Sequence, residues 1–224
     1  MKKSLGLIAL ALLASAASAP RAFAANDEHS FEILISNVSS DQALKLPDGS
    51  AIKVPIAPGA FAVISGDATA FRDGEAAGSL GLEQLAEDGN AEPLIASLKA
   101  TPGVRMAGLF VPGQSFEVVA APGDRLVFAT MFVQSNDLFF APRDGAITLL
   151  DGNGNPTGGE LTSSVALWDA GTEVNQQSGV GSEQAPRQSA AGIGTSENAV
   201  VHAVADGFTY PRVDEVVRVV ISPR

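Results

Sequence analysis

The chain has 224 residues, no cysteine, and 25 acidic against 14 basic residues, for a net charge of −11. The missing thiols exclude a disulfide framework, thiolate metal sites and cysteine nucleophiles. The acidic balance disfavours nucleic acid and anionic lipid as partners and favours cations, although much of such a surplus is ordinary solvated surface.

The first residues carry Lys2 and Lys3, an apolar run from Leu5 to Ala14 (LGLIALALLA) and the small-residue site Ala22-Phe23-Ala24. This is the order of a secretory signal peptide, so residues 1–24 are expected to be a cleaved leader of bacterial style. The absence of cysteine rules out a lipoprotein anchor at that site. The protein is expected to be exported, either periplasmic or secreted, with a flexible start at 25–30 and one domain over 31–224. Loss of Lys2, Lys3 and Arg21 removes three positive charges and takes the net charge from −11 to −14. No later apolar run is long enough to span a bilayer, so the mature chain is read without an integral membrane segment. About 200 residues can bury a core that is stable on packing alone.

From Phe31 the pattern is mostly strand. FEILISNV sets Phe31, Ile33 and Ile35 against Glu32 and Ser36 with period two. AIKVPI and AFAVIS are separated by Ala57-Pro58-Gly59, a turn signal. The stretch Leu82 to Lys99 breaks the rhythm: Leu82, Leu85, Ala86 and then Leu94, Ile95, Leu98 recur at helical spacing around Asp88-Gly89-Asn90. Two short helices beside the sheets are expected. SFEVVAAPGDRLVFATMFVQ predicts two strands joined at Ala121-Pro122-Gly123-Asp124. AITLLDGNGNPTGGELT predicts a hairpin with a glycine-rich loop, and DEVVRVVISP a closing strand with Val217, Val219 and Ile221 on one face. Between Gly171 and Gly207 the chain is rich in Gly, Ser, Gln and Pro, long for a structureless loop and therefore a functional candidate. Closely spaced strands with Gly/Pro turns predict an all-β fold, an antiparallel β-sandwich with one or two short peripheral helices.

Catalytic signals are sparse. His29 and His202 are the two histidines, no G-x-S-x-G elbow surrounds a serine, and a multi-imidazole zinc site is unavailable. His202 is expected at a strand edge. Asp151 to Pro156 (DGNGNP) resembles the start of an EF-hand loop, but Pro156 stands where that loop needs glycine and Thr162 where it needs a bidentate glutamate, so a hairpin turn is the better reading.

Two stretches stand out. QSNDLFFAP places Asp137 between apolar residues, where a carboxylate needs a partner that Arg125 or Arg143 could supply. LWDAGTEVNQ carries the single tryptophan, Trp168, then Asp169 and Glu173 around Gly171. Two acids so spaced can cap a helix, form an acid/base pair or hold a metal. Gly171 lets the chain fold back, so Asp137, Asp169 and Glu173 can converge from the same end of two strands, where they would repel unless a cation lay between them. Calcium, hard and oxygen-seeking with 6–8 ligands, is the fitting ion; structural caps and ion pairs are the competing reading.

QSNDLFFAP, LWDAGTEVNQ, GSEQAPRQ and the closing DGFTYPRVDEVVRVVI together resemble the spondin domain in its bacterial exported form, over nearly all of the mature chain. The resemblance implies a β-sandwich similar to C2-type domains with a calcium ion at one end of the sheets. Its carboxylate ligands correspond to Asp137, Asp169 and Glu173, the last replacing an aspartate of animal spondins. The cysteines and companion modules of the animal proteins are missing here, so their matrix contacts do not carry over. The expected function is a non-catalytic calcium-binding adhesion or interaction module, contacting an envelope or extracellular protein or glycan. The alternative is a calcium-assisted hydrolase of an envelope glycan or ester.

Overall fold

A computed structural model describes residues 27–224, and the leader read at 1–24 lies outside the described residues. Its strands are β1 (His29–Asn37), β2 (Leu44–Lys45), β3 (Ala51–Ile52), β4 (Gly59–Ile64), β5 (Val104–Phe110), β6 (Ser115–Ala120) and β7 (Arg125–Met131). They continue with β8 (Leu138–Pro142), β9 (Ile147–Thr148), β10 (Gly159–Glu160), β11 (Val165–Asp169), β12 (His202–Ala203) and β13 (Val217–Pro223). Three helices accompany them: α1 (Leu82–Asp88), α2 (Glu92–Ala100) and the single turn α3 (Val213–Val216).

The strands form an antiparallel β-sandwich. One sheet has the order β10-β13-β1-β6; the larger one runs β12-β11-β8-β7-β4-β5, with β9 added beside β7. Alternation decides which faces meet. Phe31, Ile33 and Ile35 of β1 and Val217, Val219 and Ile221 of β13 point into the interior, where they join Phe61, Phe110, Phe128 and Phe140 of the larger sheet. The opposite face of that sheet is also apolar, and Ala60, Ala62, Val127, Ala129, Phe139 and Trp168 pack under Leu82, Leu85, Leu94, Ile95 and Leu98 of α1 and α2. The helices thus form a third layer. Because β4 and β8 are covered on both faces, each is buried along its whole length, and both are continuous apolar runs in sequence.

The two short helices fall where the periodicity placed them. Gly89 ends α1 at φ 71°, in the left-handed region, and donates to the Gln84 and Leu85 carbonyls.

Two local expectations are corrected, and a third is refined. His29 belongs to β1 and pairs with Ala120, so ordered strand begins two residues before the expected boundary at Phe31. The turn at Ala121–Asp124 joins the two expected strands, which belong to different sheets: β6 pairs with β1, while β7 pairs with β4 and β8. The expected hairpin over Ala146–Thr162 closes only at its tip, through the Leu150–Pro156 bridge, and its arms diverge to β7 and β13. At that tip both Asp151 carboxylate oxygens accept hydrogen bonds, from the Asn153 and Asn155 amides and the Asn155 side chain, so this EF-hand-like loop is a self-satisfied turn. No helix among the described residues is long and apolar enough to cross a membrane.

Candidate metal centre

β8 and β11 are antiparallel neighbours, with Asp169 opposite Leu138. Asp137, one residue before β8, and Asp169, the last residue of β11, therefore leave the same end of the sheet. The turn before β8 is fixed by Ser135, whose hydroxyl donates to the Phe132 carbonyl and accepts from the Leu138 amide. Past β11 the chain bends at Gly171, φ 67°, where a Cβ would lie 2.6 Å from the Val200 carbonyl oxygen. Only glycine fits a positive φ against so close a backbone.

That bend sets Thr172 and Glu173 against the Asp137 carboxylate. One Asp137 oxygen, Oδ2, accepts from the Thr172 amide (2.8 Å), the Glu173 amide (3.1 Å) and the Thr172 hydroxyl (3.2 Å). The other, Oδ1, is buried with no hydrogen-bond partner, and the residue is 0% exposed. Burial, and then repulsion from Asp169, push the Asp137 carboxyl up to about 7, against the opposing pull of the two amides. Asp169 is 1% exposed. It accepts from the Gly171 amide (2.7 Å) and from Asn175 Nδ2 (2.6 Å), with His202 Nε2 at 4.0 Å.

The third acid is Glu197. One oxygen each of Asp137, Asp169 and Glu197 lies within 4.8 Å of the others. The 195–203 segment runs back along β11 and its extension, pairing His202 with Asp169 and Ser196 with Glu173. Between these two pairs, Ala170–Thr172 face the five residues Glu197–Val201, so the returning chain bulges. Asn198, at φ 58°, sits in that bulge and is the one non-glycine residue with positive φ among those described. The bulge brings Glu197 to the strand end, its amide bonded to the Thr172 carbonyl. Burial and then the charge of Asp169 raise its carboxyl.

Glu173 does not join this group. Its amide faces Asp137, but its side chain turns to the opposite side, where Oε1 accepts from the Gly194 amide at 2.8 Å. A side chain on Gly194 would overlap that carboxylate. Glu173 is 3% exposed and its carboxyl is raised, by burial first, with Asp88 and Glu183 adding repulsion. Glu87 of α1 lies beneath it, pushed up to about 7 by burial and then by the Glu173 charge. Glu173 is thus a latch between the post-β11 turn and the 188–196 loop, which is further tied to α1 through Gln188 Nε2 and the Gly192 amide on Asp88.

The countercharges offered by the sequence are elsewhere. Arg125 donates to the Gly66 carbonyl and Arg143 to the Val165 carbonyl. Among the described residues His202, on edge strand β12, is the one basic side chain within 4.0 Å of the converging acids. Three carboxylates, one with a sealed and unpaired oxygen, could hold a hard divalent cation. With one imidazole at 4.0 Å and no thiol, the set does not match zinc. The sequence singled out Asp137 and Asp169, which the fold brings together, but not Glu197, which lies in a polar segment without periodicity and is brought to them at the Asn198 bulge.

No protein-family model and no curated protein sequence matches this chain.

Proposed function

We propose that this chain is an exported calcium-binding β-sandwich module of the kind its spondin-like motifs imply, acting through non-catalytic contact with an envelope or extracellular protein or glycan. The observation that carries the calcium reading is Asp137 Oδ1, an anionic oxygen buried without a donor beside a second buried aspartate. Leaving one acceptor oxygen of a buried carboxyl without a donor costs about 1–3 kcal/mol. A calcium ion held by Asp137, Asp169 and Glu197, completed by carbonyls or water, removes that cost and ties three separate chain segments together. The reading moves the third carboxylate from Glu173 to Glu197 and leaves Glu173 as the latch of the loop behind.

Calorimetric titration of calcium into chelator-stripped protein tests it. One ion is expected, with a Kd of about 10⁻⁴–10⁻³ M, typical of extracellular modules. Uptake is expected to vanish in Asp137→Asn and Asp169→Asn and to survive in Glu173→Gln. Absence of uptake by the wild type, or unchanged uptake in Asp169→Asn, overturns the reading. Recovery of a partner from envelope extract with calcium, and its loss with chelator, tests the interaction role separately.

A further inference from the structure

At the other end of the same strands lies a cavity of about 580 Å³. It opens on the helix-covered face of the larger sheet, where β4 ends at Ile64 and β7 begins at Arg125. Its apolar wall includes Ile64, Ala68, Phe71 and Trp168, and the Phe71 and Trp168 rings meet edge to face at 5.1 Å. The Trp168 indole N–H is buried and has no acceptor among the described residues, so this wall carries an unmet donor. The size lies within the range of small-molecule sites.

Three arginines line it: Arg72, Arg125 and Arg143. In so acidic a chain, guanidinium groups are scarce and most have carboxylate partners. Arg105 pairs with Glu28 and Asp124, Arg212 with Asp214, Arg218 with Glu160, and Arg224 with Glu32. Arg72 lies 3.9 Å from Glu75. Arg125 and Arg143 have no carboxylate within 4.0 Å among the described residues. Each spends a single Nη2 on a backbone carbonyl, which holds the guanidinium in place and leaves its other donors available. Two positioned, unneutralised guanidinium forks beside an apolar wall suit a carboxylate attached to a ring-sized body. Exposed Asp67, Asp73, Glu75 and Asp144 also line the cavity. Their field opposes multiply charged anions such as phosphate far more than a single carboxylate.

We infer that this cavity binds a small ring-bearing monocarboxylate, with its carboxylate on Arg125 and Arg143 and its ring against the Phe71–Trp168 wall. An acidic sugar and a free aromatic acid share this chemistry. The site shares no side chain with the three converging acids, although Trp168 directly precedes Asp169, and binding is expected with or without calcium.

Trp168, the sole tryptophan, is a built-in reporter. Its fluorescence is followed in the mature protein during titration with galacturonate, phenylacetate, uncharged galactose and inorganic phosphate, with and without calcium. A saturable change with either carboxylate, and a weaker response or none with galactose and phosphate, supports the inference, and the carboxylate that binds tighter identifies the source. Arg143→Gln is expected to weaken binding roughly tenfold or more, the effect of losing a charge-assisted hydrogen bond, and Arg143→Lys to restore part of it. A melting curve matching the wild type confirms that the variants are folded; Arg125→Lys provides a second test should Arg143→Gln melt early. No saturable response to either carboxylate, phosphate binding as tightly as the carboxylates, or affinity unchanged in both arginine variants overturns it.

Discussion

The two ends of the β8–β11 pair share one sheet but differ in which charged groups they leave without a partner. At one end Asp137 and Asp169 are almost sealed from solvent, and Glu197 is brought to them by a returning chain. At the other end Arg125 and Arg143 stand over a cavity with their charges unpaired. The acid end is crowded: Gly171 has the Val200 backbone against it, and Gly194 has the Glu173 carboxylate. The arginine end has room, and a Cβ on Gly145 beside the cavity would meet nothing within 4 Å. The same strands thus support a buried, crowded site, where like charges converge, and an open one with room beside its backbone.

Glycine substitutions should separate the two ends most sharply. Gly171 and Gly145 both have positive φ, 67° and 78°. Gly171→Ala adds a backbone clash to conformational strain and is expected to cost about 3 kcal/mol or more in urea unfolding, whereas Gly145→Ala carries the strain alone, about 1 kcal/mol. Equal costs would contradict the difference in crowding. Calcium should act next, and only on the acid end. At a concentration 100-fold above Kd it is expected to stabilise the wild type by about 2.7 kcal/mol and Asp137→Asn not at all, read as the shift in thermal midpoint.

The pH dependence has a definite sign. Asp137 and Glu87 have carboxyls pushed up to about 7, so the folded protein holds protons that the unfolded chain has already released. In chelator, their contribution to stability is full below about pH 4 and is lost as pH rises to about 7, so the protein should weaken across that window. Saturating calcium should flatten or reverse the slope, because the ion favours the ionised form. A chelated protein that grows more stable from pH 5 to 7 would break this account. The finest test separates two neighbouring acids: Glu197→Gln should lower calcium affinity roughly tenfold, and Glu173→Gln should leave it within about twofold.

Much of this was legible in the sequence, for identifiable reasons. β1 and β13 each bury one face, so alternation marked both the strands and their inward residues. α1 and α2 announced themselves by spacing and by the glycine between them. β5 gave no such signal, since Arg105, Met106 and Gly108 interrupt its apolar pattern; it sits at the sheet edge and is only partly covered. Asp137 and Asp169 stood out because each borders an apolar strand that must end where it does. The direction of Glu173 depends on how the chain leaves Gly171, and the approach of Glu197 on a bulge at Asn198 that pairs residues more than twenty positions apart. Neither is encoded in local spacing. The arginine cavity was invisible for the same reason: residues 64–75, Arg125, residues 143–145 and Trp168 contribute to it from four separate stretches, and each arginine by itself looks like ordinary surface.

The most direct measurement is a crystal structure of calcium-loaded protein with the ion located by its anomalous scattering. The account predicts one site, with Asp137 Oδ1, Asp169 and Glu197 at about 2.3–2.6 Å and Glu173 still bonded to the Gly194 amide. An ion held elsewhere, or Asp137 Oδ1 sharing a proton with Asp169 in saturating calcium, would contradict it.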